Sequence, residues 1–347
     1  MPKTAVVGAG SWGTALAIHT AHRGHQVQLW VNSKDTFTLL KQNRVNEIYL
    51  PGFPLPEDIT ITQDLSCVSD ADYILFAVPS LYFRKTFLSF LPHLRGKSVL
   101  ISAIKGIETE SNKRISEIVH ELSGRRYLYS VLSGPSFAKE VAQQHPTAVV
   151  IGCEDSEAGK RIQNEFSSSY FRLYYNSDVV GIEVGGSVKN IIAIAAGVVS
   201  GLGYGYNTLS GLITRGLAEL NRLAVRLGAH PATLSGLAGL GDLVLTCTGH
   251  LSRNRQVGVE LGRGKTIQEI TGQMRMIAEG VSTTQAIHSL AQKLGVSMPI
   301  TEQVYKVIYH AQDPRTAILE LMLRELKQEG SPTRPSKKSR RSSNRKS

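Results

Sequence analysis

The sequence predicts an α/β protein in which a doubly wound parallel sheet is followed by an all-helical domain. Up to about residue 185, short apolar segments alternate with segments of helical spacing, which indicates βαβ connections. After that point the periodic segments have helical spacing. A glycine-rich turn directly follows the first apolar segment, as in many sheets of this kind.

The predicted strands and helices follow from the length of each apolar segment and from the spacing of its apolar residues. Strands are expected at 3–8, 27–31, 73–78, 98–103, 128–132 and 147–151. Helices are expected between most of them, at 11–23, 80–91 and 111–122. The helical domain is predicted from segments 187–202, 208–228, 251–262, 281–294 and 299–310. The predicted domains are therefore a dinucleotide-binding domain over 1–185, a substrate and catalytic domain over 186–330, and a tail over 331–347.

Positive charge is concentrated in that tail. The 347-residue chain has a formal net charge of +11, but its last 17 residues contain seven basic side chains and no acid. The tail also lacks apolar residues to bury, so we expect it to be disordered. The simplest interpretation is a solvated, solubilising tail, and the alternative is a weak tether to nucleic acid or to an anionic membrane surface. No pattern of basic and aromatic residues predicts specific nucleic-acid binding.

Cysteine use indicates a reducing compartment. Cys67, Cys153 and Cys247 are far apart and form no CxxC pair, which argues against a disulfide scaffold or a zinc site. The first residues have no signal-peptide pattern, so we expect a cytoplasmic protein. Because the cysteines form no metal-ligand pattern, we expect no bound metal. The longest apolar run, 191–202, is shorter than the roughly 20 residues of a membrane-spanning helix and is expected to be a buried helix.

The segment GAGSWG, residues 8–13, predicts a Rossmann-like phosphate-binding loop. Gly8 allows the tight turn, Gly10 lets the backbone approach a pyrophosphate, and Gly13 lets the helix pack on the strand. The N-terminus of the following helix attracts the anion. A lone GxGxxG is a weak signal, but its position inside a βαβ pattern strengthens it and predicts a dinucleotide cofactor.

The end of the second strand bears on the choice between NAD and NADP. An acid at that position would hold the ribose 2′-hydroxyl and repel a 2′-phosphate. Here the strand is followed by Asn32, Ser33 and Lys34, and the first acid is Asp35. The sequence therefore favours NADP, with NAD also used, although Asn32 or Ser33 is equally a plausible N-cap.

Polar motifs occur where core packing does not require them. Lys105 follows the 98–103 strand, and Gly134 and Ser136 follow the 128–132 strand, so all three are expected at the carboxyl edge of the sheet. Lys189, followed by Asn190, is expected near the start of the buried helix 187–202, where the helix dipole disfavours a cation.

Two further motifs lie in the helical half. Asp242 belongs to the segment GLGDLVLTC. Ser252 is a plausible N-cap, and Arg253, beside Asn254, lies in the first helical turn, where acids are usually preferred. A cation in that turn is consistent with a bound anion.

These motifs resemble those of bacterial NAD(P)-dependent glycerol-3-phosphate dehydrogenases. The matching segments include GAGSWGTALA, KGIE, LSGPSFAKEV, GGSVKNIIAIAAGVVSGLGYGYNT, GLAGLGDLVLTC, SRNR and AEGV, in family order from residue 3 to about 325. The resemblance implies a homodimer that interconverts sn-glycerol 3-phosphate and dihydroxyacetone phosphate and supplies phospholipid synthesis.

The resemblance also implies residue roles. Lys189 is the proton acceptor, oriented with the substrate hydroxyls by Asn190 and Asp242, while Arg253 and Asn254 hold the phosphate. The remaining implied substrate contacts are Lys105, Gly134, Ser136 and Ser252. The implied cofactor contacts are Gly8, Gly10, Ser11, Trp12, Gly13, Asn32, Lys105, Ala138, Arg253, Ile277 and Glu279.

The sequence departs from the family at a few positions. Tyr206 stands where the family often has Asp, and Leu209 and Ser210 replace a common Lys-Ala pair, which affects pocket detail. Asn32 replaces a frequent Arg or His and so weakens the preference for NADP.

Two rival functions remain at this level. A β-hydroxyacid or 6-phosphogluconate-type dehydrogenase has a similar plan with a lysine base, but GLGDLVLTC and SRNR argue against it. A nonenzymatic dinucleotide sensor with a nucleic-acid-binding tail is the other alternative, against which Lys105, Lys189 and Asp242 argue.

Overall fold

The computed structural model describes residues 1–274, 278–326 and 328–329. The strands in these ranges are β1 (Lys3–Val7), β2 (Gln26–Trp30), β3 (Val45–Asn46), β4 (Leu50–Pro54), β5 (Ile59–Thr62), β6 (Tyr73–Phe76), β7 (Val99–Ser102), β8 (Leu128–Ser133), β9 (Thr147–Cys153) and β10 (Phe171–Asn176). The helices are α1 (Ser11–His22), α2 (Lys34–Asn43), α3 (Ser80–Phe90), α4 (Ile115–Ser123), α5 (Ala138–Ala142), α6 (Ser156–Phe166), α7 (Val179–Gly201), α8 (Tyr206–Arg226), α9 (Pro231–Leu234), α10 (Asp242–Thr248), α11 (Arg253–Gly262), α12 (Ile267–Gln273), α13 (Glu279–Leu294), α14 (Pro299–Tyr309) and α15 (Pro314–Met322).

Eight strands form one sheet in the order β10-β9-β8-β7-β6-β1-β2-β5. Neighbouring strands pair in parallel, except β8 and β9, which are antiparallel. The chain begins in the interior of the sheet and winds outward in both directions, which confirms the doubly wound fold. The carboxyl ends of β1, β6 and β7 consequently meet at one edge, where ligands of such sheets bind.

The helical domain is built around α7. Its central residues are buried on all sides, so α8, α11, α13 and α14 pack around it. Contact with α11 is especially close, because a Cβ on Gly197 would lie 2.0 Å from the carbonyl oxygen of Arg255, and one on Gly258 1.9 Å from that of Ile194. This contact brings the start of α11 against the middle of α7.

The helix α7 begins earlier than predicted, at Val179 rather than residue 187. The paired glycines Gly185 and Gly186 suggest a turn, but here they serve close packing inside the helix. A Cβ on Gly185 would lie 2.5 Å from the carbonyl oxygen of Ala238, and one on Gly186 2.9 Å from Oγ of Ser133. The domain boundary between residues 185 and 186 falls within this continuous helix and stays a prediction.

The helix α4 also differs from its prediction, beginning at Ile115 rather than residue 111. Asn112 has a left-handed φ of 59°, which an α-helix does not accommodate. Of the described helices, α7 alone is long and apolar enough to cross a membrane by length and composition, and 89% of its most apolar window is buried within the protein. Its apolar composition is that of a core helix, as predicted.

Candidate active site

A cleft of about 640 Å³ opens at the carboxyl edge of the sheet and extends to α7, α10 and α11. Most of the predicted site residues lie on its wall: Gly8, Gly10, Ser11, Trp12, Asn32, Lys105, Ser136, Ala138, Lys189, Asn190, Asp242, Ser252, Arg253, Asn254 and Glu279. Gly13 and Gly134 lie behind the wall, and Ile277 lies outside the described residues.

Each glycine of the loop meets a different constraint. Gly8 has a φ of +114°, and a Cβ there would lie 2.9 Å from the carbonyl oxygen of Ala77. A Cβ on Gly13 would lie 1.8 Å from the carbonyl oxygen of Gly8, so this glycine packs α1 on β1. A Cβ on Gly10 would meet no atom within 4 Å. The loop therefore leaves backbone open to the cleft at Gly10, which fits the close approach of a pyrophosphate.

The hairpin of β3 and β4 supports this loop, a role that sequence reasoning missed. Buried Asn46 donates from Nδ2 to the carbonyl oxygen of Ala9 at 2.9 Å and to Oγ1 of Thr14 at 2.8 Å. Oγ of Ser11 donates to the carbonyl oxygen of Tyr49 at 2.6 Å. These contacts span more than thirty residues, and no local pattern in the sequence indicates them.

Trp12 contributes both to the core and to the wall of the cleft. Its ring lies 6.5 Å from that of Phe171, so it contributes to the core under the sheet. It also lines the cleft, and its buried Nε1 has no hydrogen-bond partner within the described part of the chain.

The end of β2 is polar, as predicted. Asn32 lies on the cleft wall, and Ser33 is the N-cap of α2, where its side chain accepts from the backbone N–H of Thr36 at 3.3 Å. Lys34 is exposed and is not part of the wall.

Two lysines converge on one aspartate at the far end of the cleft. Nζ of Lys189 donates to Oδ1 of Asp242 at 2.5 Å, and Nζ of Lys105 donates to Oδ2 at 2.8 Å. Lys105 also donates to the carbonyl oxygen of Gly134 at 2.8 Å and to Oγ of Ser136 at 3.3 Å. Asp242 is fully buried and Lys189 is nearly so.

Protonation in this cluster follows from burial and charge. The pKa of Lys189 is lowered to about 8, chiefly by burial; the Asp242 carboxylate opposes this shift and the charge of Lys105 contributes to it. Burial would raise the pKa of Asp242, but the two lysines outweigh it, and the net shift is downward. The cluster therefore pairs an ionised carboxylate with an amine that can exchange its proton near neutral pH.

Lys189 does not lie near the start of its helix, contrary to the prediction. Because α7 begins at Val179, Lys189 lies ten residues into the helix and away from the terminal charge. The free-energy cost of a charged Lys189 comes instead from burial, which the ion pair with Asp242 offsets only in part.

Thr246 is a site residue that sequence reasoning missed. Its Oγ1 accepts from Nζ of Lys189 at 2.9 Å and donates to the backbone carbonyl oxygen of Asp242 at 2.6 Å. It lies one turn after Asp242 on α10, so the four-residue spacing of the two side chains was the available signal.

A chain of amides connects the surrounding segments. Nδ2 of Asn190 donates to the carbonyl oxygen of Lys105 at 3.0 Å, and its Oδ1 accepts from Nδ2 of Asn254 at 3.0 Å. Oδ1 of Asn254 accepts from the backbone N–H of Gly280 at 2.9 Å. The amides thus fix α7, α11, α13 and the Lys105 segment relative to one another.

Ser252 is the N-cap of α11, as predicted, and accepts from the backbone N–H of Arg255 at 3.2 Å. Arg253 is the first residue of this helix and lines the cleft. Oε1 of Glu279 accepts from the backbone N–H of Ser80 at 2.8 Å, which connects α13 to the start of α3. Burial raises the pKa of Glu279.

The doubly wound sheet, the open glycine loop and a buried lysine at the end of one cleft define a dinucleotide-dependent oxidoreductase. The family comparison agrees with this class. The family described as NAD-dependent glycerol-3-phosphate dehydrogenase matches with its N-terminal part at residues 3–159 and its C-terminal part at 178–319. The chain belongs to this family.

Similar proteins extend the match across nearly the whole chain. A glycerol-3-phosphate dehydrogenase (NAD(P)+) of Citrifermentans bemidjiense is 50% identical over 331 residues, covering 94% of this chain and 99% of that protein. One of Syntrophobacter fumaroxidans is 47% identical, covering 93% and 96%. The crystal structure of glycerol-3-phosphate dehydrogenase from Coxiella burnetii is 40% identical with a TM-score of 0.90, covering 93% of this chain and 99% of that one.

Proposed function

We propose that this protein interconverts sn-glycerol 3-phosphate and dihydroxyacetone phosphate with NADP or NAD. The proposal depends chiefly on one observation: the amine of Lys189 is held by Asp242 and Thr246 in the same cleft as the glycine loop. The names of the similar proteins give glycerol 3-phosphate as the substrate, and removal of hydrogen from its C2 alcohol yields dihydroxyacetone phosphate.

Lys189 is the proton-transfer group in this proposal. When the alcohol is oxidised, its neutral amine accepts the proton of the C2 hydroxyl; when the ketone is reduced, its ammonium returns that proton. Near pH 8 both forms are present, because burial has lowered the pKa to about that value. Asp242 and Thr246 orient the amine, and Asn190 orients the neighbouring substrate hydroxyls.

The substrate phosphate is held by Arg253 with Asn254 and Ser252. Arg253 supplies a forked cation on the wall of the cleft. The backbone at the start of α11 adds N–H groups and a partial positive charge. Lys105 and Ser136 form the opposite side, with the carbonyl oxygen of Gly134 behind them as a hydrogen-bond acceptor for Lys105. Lys105 neutralises part of the added negative charge.

The glycine loop fits the cofactor pyrophosphate, because the space beside Gly10 is open to the cleft. Ser11, Trp12, Asn32, Ala138 and Glu279 are the further residues that would hold the cofactor on this wall. When bound, the nicotinamide supplies the hydride acceptor or donor for C2. We propose a preference for NADP with NAD also used, because Asn32 and Ser33 place no carboxylate at the end of β2.

We also propose that the enzyme supplies glycerol 3-phosphate for phospholipid synthesis, works in the cytoplasm and is a homodimer. Three buried free cysteines support a reducing compartment. The family resemblance supports the dimer and the metabolic role.

The decisive assay is oxidation of NADPH or NADH in the presence of dihydroxyacetone phosphate. We expect turnover with this ketone, none with β-keto acids, and loss of turnover in Lys189→Ala. Turnover with β-keto acids alone would assign the protein to the hydroxyacid dehydrogenases. Cofactor binding without turnover on either substrate would support the sensor alternative.

A further inference from the structure

An exposed row of apolar side chains lies near the C-terminal end of the described chain. Leu319 is 57% exposed, Met322 76%, Leu323 76% and Leu326 98%. Leu319 and Met322 are three positions apart and share one side of α15; Leu323 is the C-cap of this helix, four positions after Leu319, and Leu326 follows three residues later. We call these four residues the C-terminal apolar stripe.

The stripe begins on the outer side of α15, whose inner side is already packed, and continues past the end of that helix. Ala317 is buried, and Ile318 and Leu321 line a narrow apolar groove together with residues of α7 and α14. Folding of the helical domain therefore does not use the stripe. Four large apolar side chains close together in water are typical of a surface that contacts another apolar phase.

Charge around the stripe is unevenly distributed along the chain. Between residues 313 and 329, acidic and basic side chains nearly balance. Oε1 of Glu329 accepts from Arg215 of α8 at 3.4 Å, so the chain is still on the helical domain where the basic tail is about to begin. The next 17 residues contain seven basic side chains and no acid. An apolar surface and a strongly cationic segment are thus adjacent in the chain.

We propose that the C-terminal apolar stripe and the tail of residues 331–347 dock this enzyme on an anionic lipid surface. Lysine and arginine are attracted to anionic headgroups, and the stripe enters the boundary between headgroups and acyl chains. Neither contribution alone gives stable binding, whereas the two together do. A nucleic acid would neutralise the charge of the tail but would not cover the apolar stripe. A second copy of the chain would cover the stripe, but its tail is equally positive and would repel the first.

The test is sedimentation of the full chain with vesicles of equal parts phosphatidylcholine and phosphatidylglycerol, against vesicles of phosphatidylcholine alone. One variant, Met322→Ser/Leu323→Ser/Leu326→Ser, removes most of the stripe. A second ends at Gly330 and lacks the tail. The control, Leu81→Ser/Leu88→Ser, removes two exposed leucines of α3, at 54% and 46% exposure, on the other domain.

We expect the wild type and the control to bind the anionic vesicles at physiological salt and not the neutral ones. Both the stripe variant and the truncated chain should bind on the order of tenfold more weakly. The stripe variant should recover part of its binding at low salt, where the tail is less screened. All variants should retain wild-type kcat with dihydroxyacetone phosphate.

Three results would overturn the proposal. If the stripe variant bound the vesicles as well as the wild type, the apolar side chains would not enter the lipid. A change in the mass of the stripe variant without vesicles would assign the stripe to a contact between copies. Binding of duplex DNA at physiological salt that outcompetes the vesicles would assign the tail to nucleic acid. Because these readouts do not depend on turnover, they are independent of the proposed reaction.

Discussion

Nζ of Lys189 on α7 donates a hydrogen bond to Oδ1 of Asp242 on α10 at 2.5 Å, although the two residues are 53 positions apart in the chain. The bond forms in a fully buried position, and the second carboxylate oxygen is held by Lys105. One aspartate thus fixes two amines, of which Lys189 has the lowered pKa required for proton transfer.

Lys189→Ala should lower kcat by about 10²–10⁴-fold, the usual contribution of a general acid–base group. The cofactor dissociation constant should change little, because the glycine loop precedes α1 whereas Lys189 belongs to α7. Steady-state assays of dihydroxyacetone phosphate reduction measure kcat, and calorimetry measures the dissociation constant of NADPH. Turnover within a few-fold of wild type would reject Lys189 as the proton-transfer group.

The pH dependence should have opposite signs in the two directions. Oxidation requires neutral Lys189, so its rate should rise with pH through about 8, and reduction requires the ammonium, so its rate should fall through the same value. Asp242→Asn removes a carboxylate that raises this pKa. The rising limb of the oxidation profile and the falling limb of the reduction profile, called the pH limbs below, should therefore both move to lower pH.

A control is available for this pH profile. Burial raises the pKa of Glu219 to about 7, but this residue accepts from the backbone N–H of Ile300 and Thr301 and does not line the cleft. Glu219→Gln should leave the limbs in place. A shift in that variant would show that the limbs report folding rather than Lys189.

Part of the candidate site could be predicted from local features of the sequence, because Lys105 and Ser136 follow strand ends and Ser252 is a helix cap. Lys189 lies in the middle of α7, so its role rests on the family resemblance and not on a local pattern.

The contacts that complete the site are not local: Lys105 and Asp242 are 137 residues apart, and Asn46 reaches Ala9 across 37. The start of α7 was misplaced because glycine is ambiguous, since a turn and a close helix contact require it equally. The basic tail lies outside the described residues, so its disorder stays a prediction.

Thr246→Val should lower kcat by roughly 2- to 12-fold, because the hydrogen bond that it loses to the Lys189 amine is worth about 0.5–1.5 kcal/mol, while side-chain volume is kept. The hydroxyl accepts from the Lys189 amine, so its loss should also shift the pH limbs downward. Thr248→Val is the matched control on the same helix, since its hydroxyl bonds only the carbonyl oxygen of Val244. Equal effects of the two variants would mean that Thr246 acts on helix stability alone.

Arg253→Ala should raise KM for dihydroxyacetone phosphate with little change in melting temperature. Losing a charge-assisted hydrogen bond costs about 1.5–3 kcal/mol, or roughly 10- to 150-fold in affinity. Arg263→Ala, at the exposed end of the same helix, removes equal charge and should leave KM unchanged. An unaltered KM in Arg253→Ala would remove this residue from the phosphate site.

Gly10→Ala and Gly13→Ala should separate cofactor binding from folding within one loop. A methyl group at Gly10 meets no protein atom within 4 Å, so the fold should tolerate it, but it would enter the space left for the pyrophosphate. A methyl group at Gly13 would lie 1.8 Å from the carbonyl oxygen of Gly8, so α1 must move away from β1. We therefore expect Gly10→Ala to raise KM for NADPH at an unchanged melting temperature.

Gly13→Ala should instead lower the melting temperature, since overpacking typically costs about 1–3 kcal/mol. Thermal unfolding followed by circular dichroism, with KM for NADPH measured on the same preparations, distinguishes the variants. Gly96→Ala, at an exposed turn with open space around it, should change neither quantity. If Gly10→Ala lowered the melting temperature as much as Gly13→Ala while binding NADPH normally, the open space at Gly10 would not be the cofactor's.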